Sequence, residues 1–173
     1  MAIDPESRFP PYTYVPGGPW PHPIASPLGH SAGQPRPPAQ PIEGDAWERS
    51  PEYLRGIELF NTGYYWEAHE AWEALWHALG RRGPTADLLK GLIKLAAAGV
   101  KIRERRPRGA STHARRAAEA FAAARSQGGK HQLGLDLDEW IRIALALAEN
   151  PPTDPESPGA RVARVFAFQI EPR

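Results

Sequence analysis

The sequence predicts an all-α protein, a compact bundle of about five helices with an extended Pro-rich N-terminal arm. Two observations predict this fold class. Apolar residues recur at helical spacing in segments that Gly and Pro separate, from residue 46 onward. Before residue 160, no segment alternates apolar and polar residues with the period of two that is typical of strands. We therefore expect very little strand.

Residues 1–45 form the predicted arm. They hold twelve of the 20 prolines, so neither a helix nor a strand ladder can continue through them, and polyproline-like extension is expected. Aromatic residues such as Tyr12, Tyr14 and Trp20 make the arm more apolar than disordered tails usually are. We expect the arm to lie on a surface, its own or a partner's, and a flexible arm is the alternative.

Local start and stop signals define the first helices of the predicted bundle, residues 46–150. Ser50 followed by Pro51 indicates an N-cap and a first-turn proline, and Gly63 ends this helix. A second helix is expected from about Tyr64 to Leu79, so that the two form a short antiparallel hairpin.

The third predicted helix begins at Pro84 or Thr85 and is stopped by Pro107. It is apolar over more than half of its circumference, which is typical of a central helix.

An Ala-rich fourth helix is expected over residues 110–126, and a fifth from Asp136 or Asp138 to Asn150. Residues 151–173 are expected to pack on the bundle as a tail, as an added strand or a last helical turn.

Composition excludes several classes of function. The chain has no Cys, which excludes disulfides, cysteine nucleophiles and thiolate zinc sites, so a bound metal would need His and carboxylate ligands. The net charge of +1 does not favour nucleic acid, and the Arg-rich residues 103–108 lack aromatic side chains for base stacking. There is no apolar run long enough to span a membrane and no signal peptide, so we expect a soluble cytoplasmic protein.

The second predicted helix holds the residues most suited to bind a ligand or a metal. His69, Glu73 and His77 are spaced i, i+4, i+8, which places them along one side of the second helix, with Glu70 beside them. Imidazole and carboxylate groups are suitable ligands for zinc, iron or manganese, and they also act as general acids and bases. His69, Glu73 and His77 are therefore the candidate ligands of a divalent metal. One helix supplies two or three ligands, and any others must come from elsewhere.

A broader hypothesis is a site for a small-molecule ligand, catalytic or not. Its candidate residues lie on the same stripe or at its edge, and they are Asn61, Trp66, His69, Glu70, Glu73 and Lys94. If the arm folds over the bundle, His22 and His30 could reach His69.

Two alternatives stay open. In the first, the stripe is structural: His69 bonds to a neighbouring helix, and the two glutamates pair with Lys or Arg. In the second, the protein is a non-enzymatic interaction module or homodimer, anchored by some of its six Trp.

The string LFNTGYYWEAHEAWEALWHALG, followed by LLKGLIKLAAAGVK and RGAS, resembles the bacterial family known as domain of unknown function 309. The likeness covers about residues 53–125 and implies a small all-helical bundle without an established activity. The family pattern falls on Asn61, Glu67, His69, Glu70, Glu73 and Trp76. Many relatives carry Gln where this chain has Lys94, so an uncharged hydrogen-bonding role is not expected there.

Overall fold

The computed structural model describes residues 8–173, so the first seven residues of the predicted arm lie outside the described part. Five α-helices account for most of the regular structure in this range, which confirms the all-α prediction. They are α1 (Pro51–Thr62), α2 (Tyr65–Ala78), α3 (Pro84–Arg103), α4 (Pro107–Gly128) and α5 (Leu137–Glu149). A short 3-10 turn at Trp47–Arg49 precedes α1, and two antiparallel strands, β1 (His131–Gln132) and β2 (Leu135–Asp136), join α4 to α5.

The ends of α1 follow the local signals. The Ser50 hydroxyl accepts a hydrogen bond from the backbone N–H of Tyr53 at the N-terminus. Gly63 ends the helix in the left-handed conformation, with φ of 95°. A Cβ atom at Gly63 would lie 2.7 Å from the carbonyl oxygen of Ala163, so this glycine also makes room for the C-terminal tail.

Two sequence expectations need correction. Pro107 does not stop α3, which ends four residues earlier, at Arg103; instead, Pro107 is the first residue of α4. The N–H that proline lacks would have no intrahelical partner at that position, so the position tolerates it. The tail forms neither a strand nor a helical turn. Side chains of Tyr65 and Asn61 hold its backbone at Val165 and Ile170, and its backbone bonds to Thr13 and Gly134 do not extend into a ladder.

The third helix is central, as predicted, and the helices pack in chain order, each against the next. Close approach depends on glycines in α3: a Cβ atom at Gly91 would lie 2.4 Å from the ring of Phe121, and one at Gly99 would lie 2.6 Å from the ring of Tyr65. The core is formed by apolar side chains of all five helices.

The C-terminal tail crosses α1 and α2 and is held at several points. The Asn61 amide donates to the carbonyl of Ile170 at 2.9 Å and accepts from its N–H at 2.8 Å. The Tyr65 hydroxyl accepts from the N–H of Val165, and Phe60 stacks on Phe166.

Farther back along the tail, Asp154 forms an ion pair of 2.9 Å with Arg103, and both side chains are 1% exposed. The division of the chain at residues 45 and 150 into arm, bundle and tail stays a prediction. No helix in residues 8–173 is long and apolar enough to span a membrane.

Candidate functional site

The arm lies across the outer face of α2, and Glu67 is its main attachment point. The Thr13 hydroxyl donates to Oε2 of Glu67 at 2.6 Å, and the backbone N–H of Tyr14 donates to Oε1 at 3.0 Å. Nε2 of His30 lies 3.1 Å from the same Oε1. The arm thus satisfies both oxygens of a carboxylate that it also buries.

Aromatic contacts extend this attachment toward the polar stripe. The rings of Tyr14 and His22 meet Trp66 edge to face, at centroid distances of 4.8 and 5.6 Å. Trp66 stacks in turn on His69, at 6.1 Å. His22 and His30, which were expected to reach His69 if the arm folded over, therefore contact Trp66 and Glu67 instead.

Three side chains of the stripe converge. The ligand atoms of His69, Glu70 and Glu73 all lie within 4.8 Å of one another, and these residues are called the His–Glu cluster below. Nδ1 of His69 is 4.0 Å from Oε1 of Glu70 and 4.0 Å from Oε2 of Glu73. This nitrogen is shielded from solvent and has no hydrogen-bond partner within residues 8–173. The other oxygen of Glu70, Oε2, accepts from Arg36 of the arm at 2.7 Å.

A cavity of about 750 Å³ separates the arm from α2 beside the cluster. Glu70 and Glu73 belong to both the cluster and the cavity wall, whereas His69 does not line the cavity. The arm contributes Arg36 and several prolines to the opposite wall.

On the side away from the arm, where α3 and α4 lie, the surroundings of the cluster are basic. Burial, followed by the charges of Arg116 and Lys90, lowers the pKa of Lys94 on α3, and the Glu73 carboxylate opposes this effect. On α4, burial lowers the pKa of His113 to about 4, and Lys94, Lys101, Arg116 and His69 add to the effect. His113 is therefore neutral near pH 7, and its Nδ1 is buried without a partner in the described chain.

The structure brings most, but not all, of the candidate ligand-binding residues together. Trp66, His69, Glu70 and Glu73 lie together, with Lys94 at the edge. Asn61 is not part of the cluster or of the cavity wall, because the backbone of Ile170 occupies both ends of its amide.

His77 also lies outside the cluster. Its exposed ring packs against Trp76, although it lines the cavity farther along α2. Glu70 thus takes the place that the predicted metal set assigned to His77.

Two neighbours of the cluster were missed. Arg36 lies in a Pro-rich segment, where no periodicity indicates a direction for the side chain. The position of His113 could have been predicted from helical spacing, since it lies on the same face of α4 as the buried Ala110, Ala114 and Ala117.

The fold and the cluster define a small helical bundle with a His–Glu group on its second helix. Residues 53–113 match the family model described as domain of unknown function (DUF309). This match confirms the resemblance seen in the sequence, over a shorter stretch that runs from α1 into α4. No curated protein matches the chain.

Proposed function

We propose that the protein binds a divalent transition-metal ion through His69, Glu70 and Glu73. The observation that carries the proposal is the convergence of one ligand atom from each residue within 4.8 Å. The buried Nδ1 of His69, which has no hydrogen-bond partner among residues 8–173, is 4.0 Å from an oxygen of each carboxylate. An ion bound tetrahedrally at about 2.1 Å holds its ligand atoms about 3.4 Å apart. The two separations of 4.0 Å are longer than this by about 0.6 Å, and side-chain rotations would have to close the difference.

The two carboxylates offer a cation oxygen ligands beside the imidazole nitrogen. Glu70 and Glu73 lie close together; Arg36 forms an ion pair with the first, and the charge of Lys94 on α3 acts on the second. A divalent ion would compete with these two cations for the carboxylates, and the imidazole of His69 would complete the ligand set. Three protein ligands leave at least one coordination position open, which is typical of zinc sites that bind a water or a substrate. The adjoining cavity supports the same interpretation, because a small molecule there would lie next to the ion.

The test is a metal titration of the full chain after treatment with chelator. Zinc and manganese binding would be measured by calorimetry, and the metal content of the untreated protein by inductively coupled plasma mass spectrometry. We expect one ion per chain in the wild type. Each of the variants His69→Gln and Glu73→Gln is expected to weaken binding at least tenfold, which corresponds to about 1.4 kcal/mol or more.

Matched controls are His131→Gln and Glu119→Gln, which change exposed residues outside the cluster. The proposal is wrong if the wild type binds neither ion, or if the His69 variant binds metal as tightly as the His131 variant.

A second proposal is a protein-interaction or homodimerisation role in the cytoplasm. The observation behind it is Leu28 on the arm, a single large apolar side chain that is 81% exposed. The aromatic argument for it is weaker: Trp72 and Trp140 are buried, Trp47, Trp66 and Trp76 pack against the core, and Trp20 stacks on Tyr12. Light scattering would decide, since a homodimer should return to a monomer in Leu28→Ser.

A further inference from the structure

Arg36 is the arm residue that reaches the His–Glu cluster. Its guanidinium bonds to Oε2 of Glu70 at 2.7 Å, while 57% of its side chain stays exposed. It follows Pro35 and precedes Pro37 and Pro38, and each proline has a fixed φ. The backbone that carries Arg36 is therefore restricted, which lowers the backbone entropy that is lost when this residue is placed at the cavity.

The charges around the cavity are almost all engaged. Glu67 is bonded to Thr13, Tyr14 and His30 of the arm. Arg55, which lines the cavity from α1, forms an ion pair of 2.7 Å with Glu58.

A divalent ion bound to the cluster would change the ion pair between Arg36 and Glu70. It would compensate the charges of Glu70 and Glu73, and Arg36 would then lose much of the attraction that now holds it to Glu70. The cavity would present two neighbouring positive groups, the ion and the guanidinium.

The rest of the wall is largely apolar. It includes Pro10, Pro23, Ile24, Leu59, Ala71 and Trp66. The indole N–H of Trp66 is buried and has no acceptor among the described residues. The volume of about 750 Å³ is within the range of sites for small organic molecules.

We propose that this cavity binds a small organic carboxylate with an apolar body, whose carboxylate lies between Arg36 and the metal ion. The proposal rests on the metal site proposed above and adds the class of ligand to it. A planar guanidinium matches a carboxylate in two parallel hydrogen bonds, and the apolar wall receives the remainder of the molecule. A neutral molecule of the same shape lacks the charge that the ion and Arg36 attract.

The experiment uses benzoate and its neutral isostere benzamide as probes. Each would be titrated by calorimetry into the full chain loaded with zinc. We expect benzoate to bind in a one-to-one complex, at least about tenfold more tightly than benzamide. Arg36→Gln should lower the affinity for benzoate at least about tenfold and leave the zinc stoichiometry unchanged. Arg49→Gln is the matched control, because Arg49 is exposed and does not line the cavity.

The outcomes separate the two proposals. If zinc does not bind, the metal site and the carboxylate site are both wrong. If zinc binds but benzoate does not, or binds no better than benzamide, only the carboxylate site is wrong. The same conclusion follows if Arg36→Gln binds benzoate as tightly as Arg49→Gln does.

Discussion

Nε2 of His30 lies 3.1 Å from Oε1 of Glu67, and the two side chains are only 4% and 9% exposed although 37 residues separate them in the chain. This contact joins the Pro-rich arm to α2. Since the arm forms one wall of the candidate cavity and α1 and α2 form the other, the cavity exists only while the arm is docked. The attachment of the arm is therefore a condition for any ligand binding there.

Glu67→Ala should release the arm. The substitution removes the acceptor of Thr13 and Tyr14 and the partner of His30, and it should lower the free energy of unfolding by about 2–3 kcal/mol. Urea unfolding measures this loss. Chymotrypsin cleavage after Tyr12 and Tyr14 should become faster as well. Glu119→Ala, at an exposed position of α4, is the control, and equal cleavage of both variants would contradict the attachment.

Asn61→Ala should loosen the C-terminal tail. Ile170 is 1% exposed, and its backbone N–H and carbonyl would both lose their partner, at a cost of about 1–3 kcal/mol. Hydrogen exchange at the Ile170 amide should speed up, and urea unfolding should show the loss of stability. Gln169→Ala changes the exposed neighbouring residue and should have little effect. If the Ile170 amide exchanges at the same rate in both variants, the clamp is not what holds the tail.

The stability should depend on pH through His113. Its folded pKa is lowered from 6.5 to about 4, mainly by burial and then by nearby positive charges. Below pH 6.5 the unfolded chain takes up a proton that the folded protein resists, so stability is lost as the pH falls from about 6.5 to about 4.

His113→Gln tests this dependence, because it removes the titrating group. The melting temperature of the variant should fall less steeply than that of the wild type over this pH range. His131→Gln, at an exposed position of β1, should keep the wild-type slope. Parallel slopes for the wild type and both variants would show that His113 does not titrate as described.

The sequence predicted the helices well because their ends depend on neighbouring residues. Ser50 caps α1 through the N–H of Tyr53, three residues farther on, and Gly63 ends the helix through its own left-handed backbone. Each of these signals acts within a few residues of the helix end that it determines. The prediction was wrong at Pro107 because proline is compatible with both the end and the first turn of a helix. It was wrong at the tail because side chains of α1 and α2 hold that backbone.

The site was predictable in the part that lies on one helix. Spacing along α2 placed His69, Glu70 and Glu73 on neighbouring positions, and the structure brings their ligand atoms together. Whether that group binds metal stays a prediction.

By itself, then, the sequence determined the helices and the composition of the stripe, since both follow from local backbone geometry and from the period of a single helix. Only the tertiary structure decided which residues from distant parts of the chain contact the polar stripe of α2. Arg36 bonds to Glu70 and His30 meets Glu67 because of the path that the arm takes across α2. An extended Pro-rich segment has no internal hydrogen bonds or apolar period that encode such a path, so its contacts are determined by the surface on which it lies.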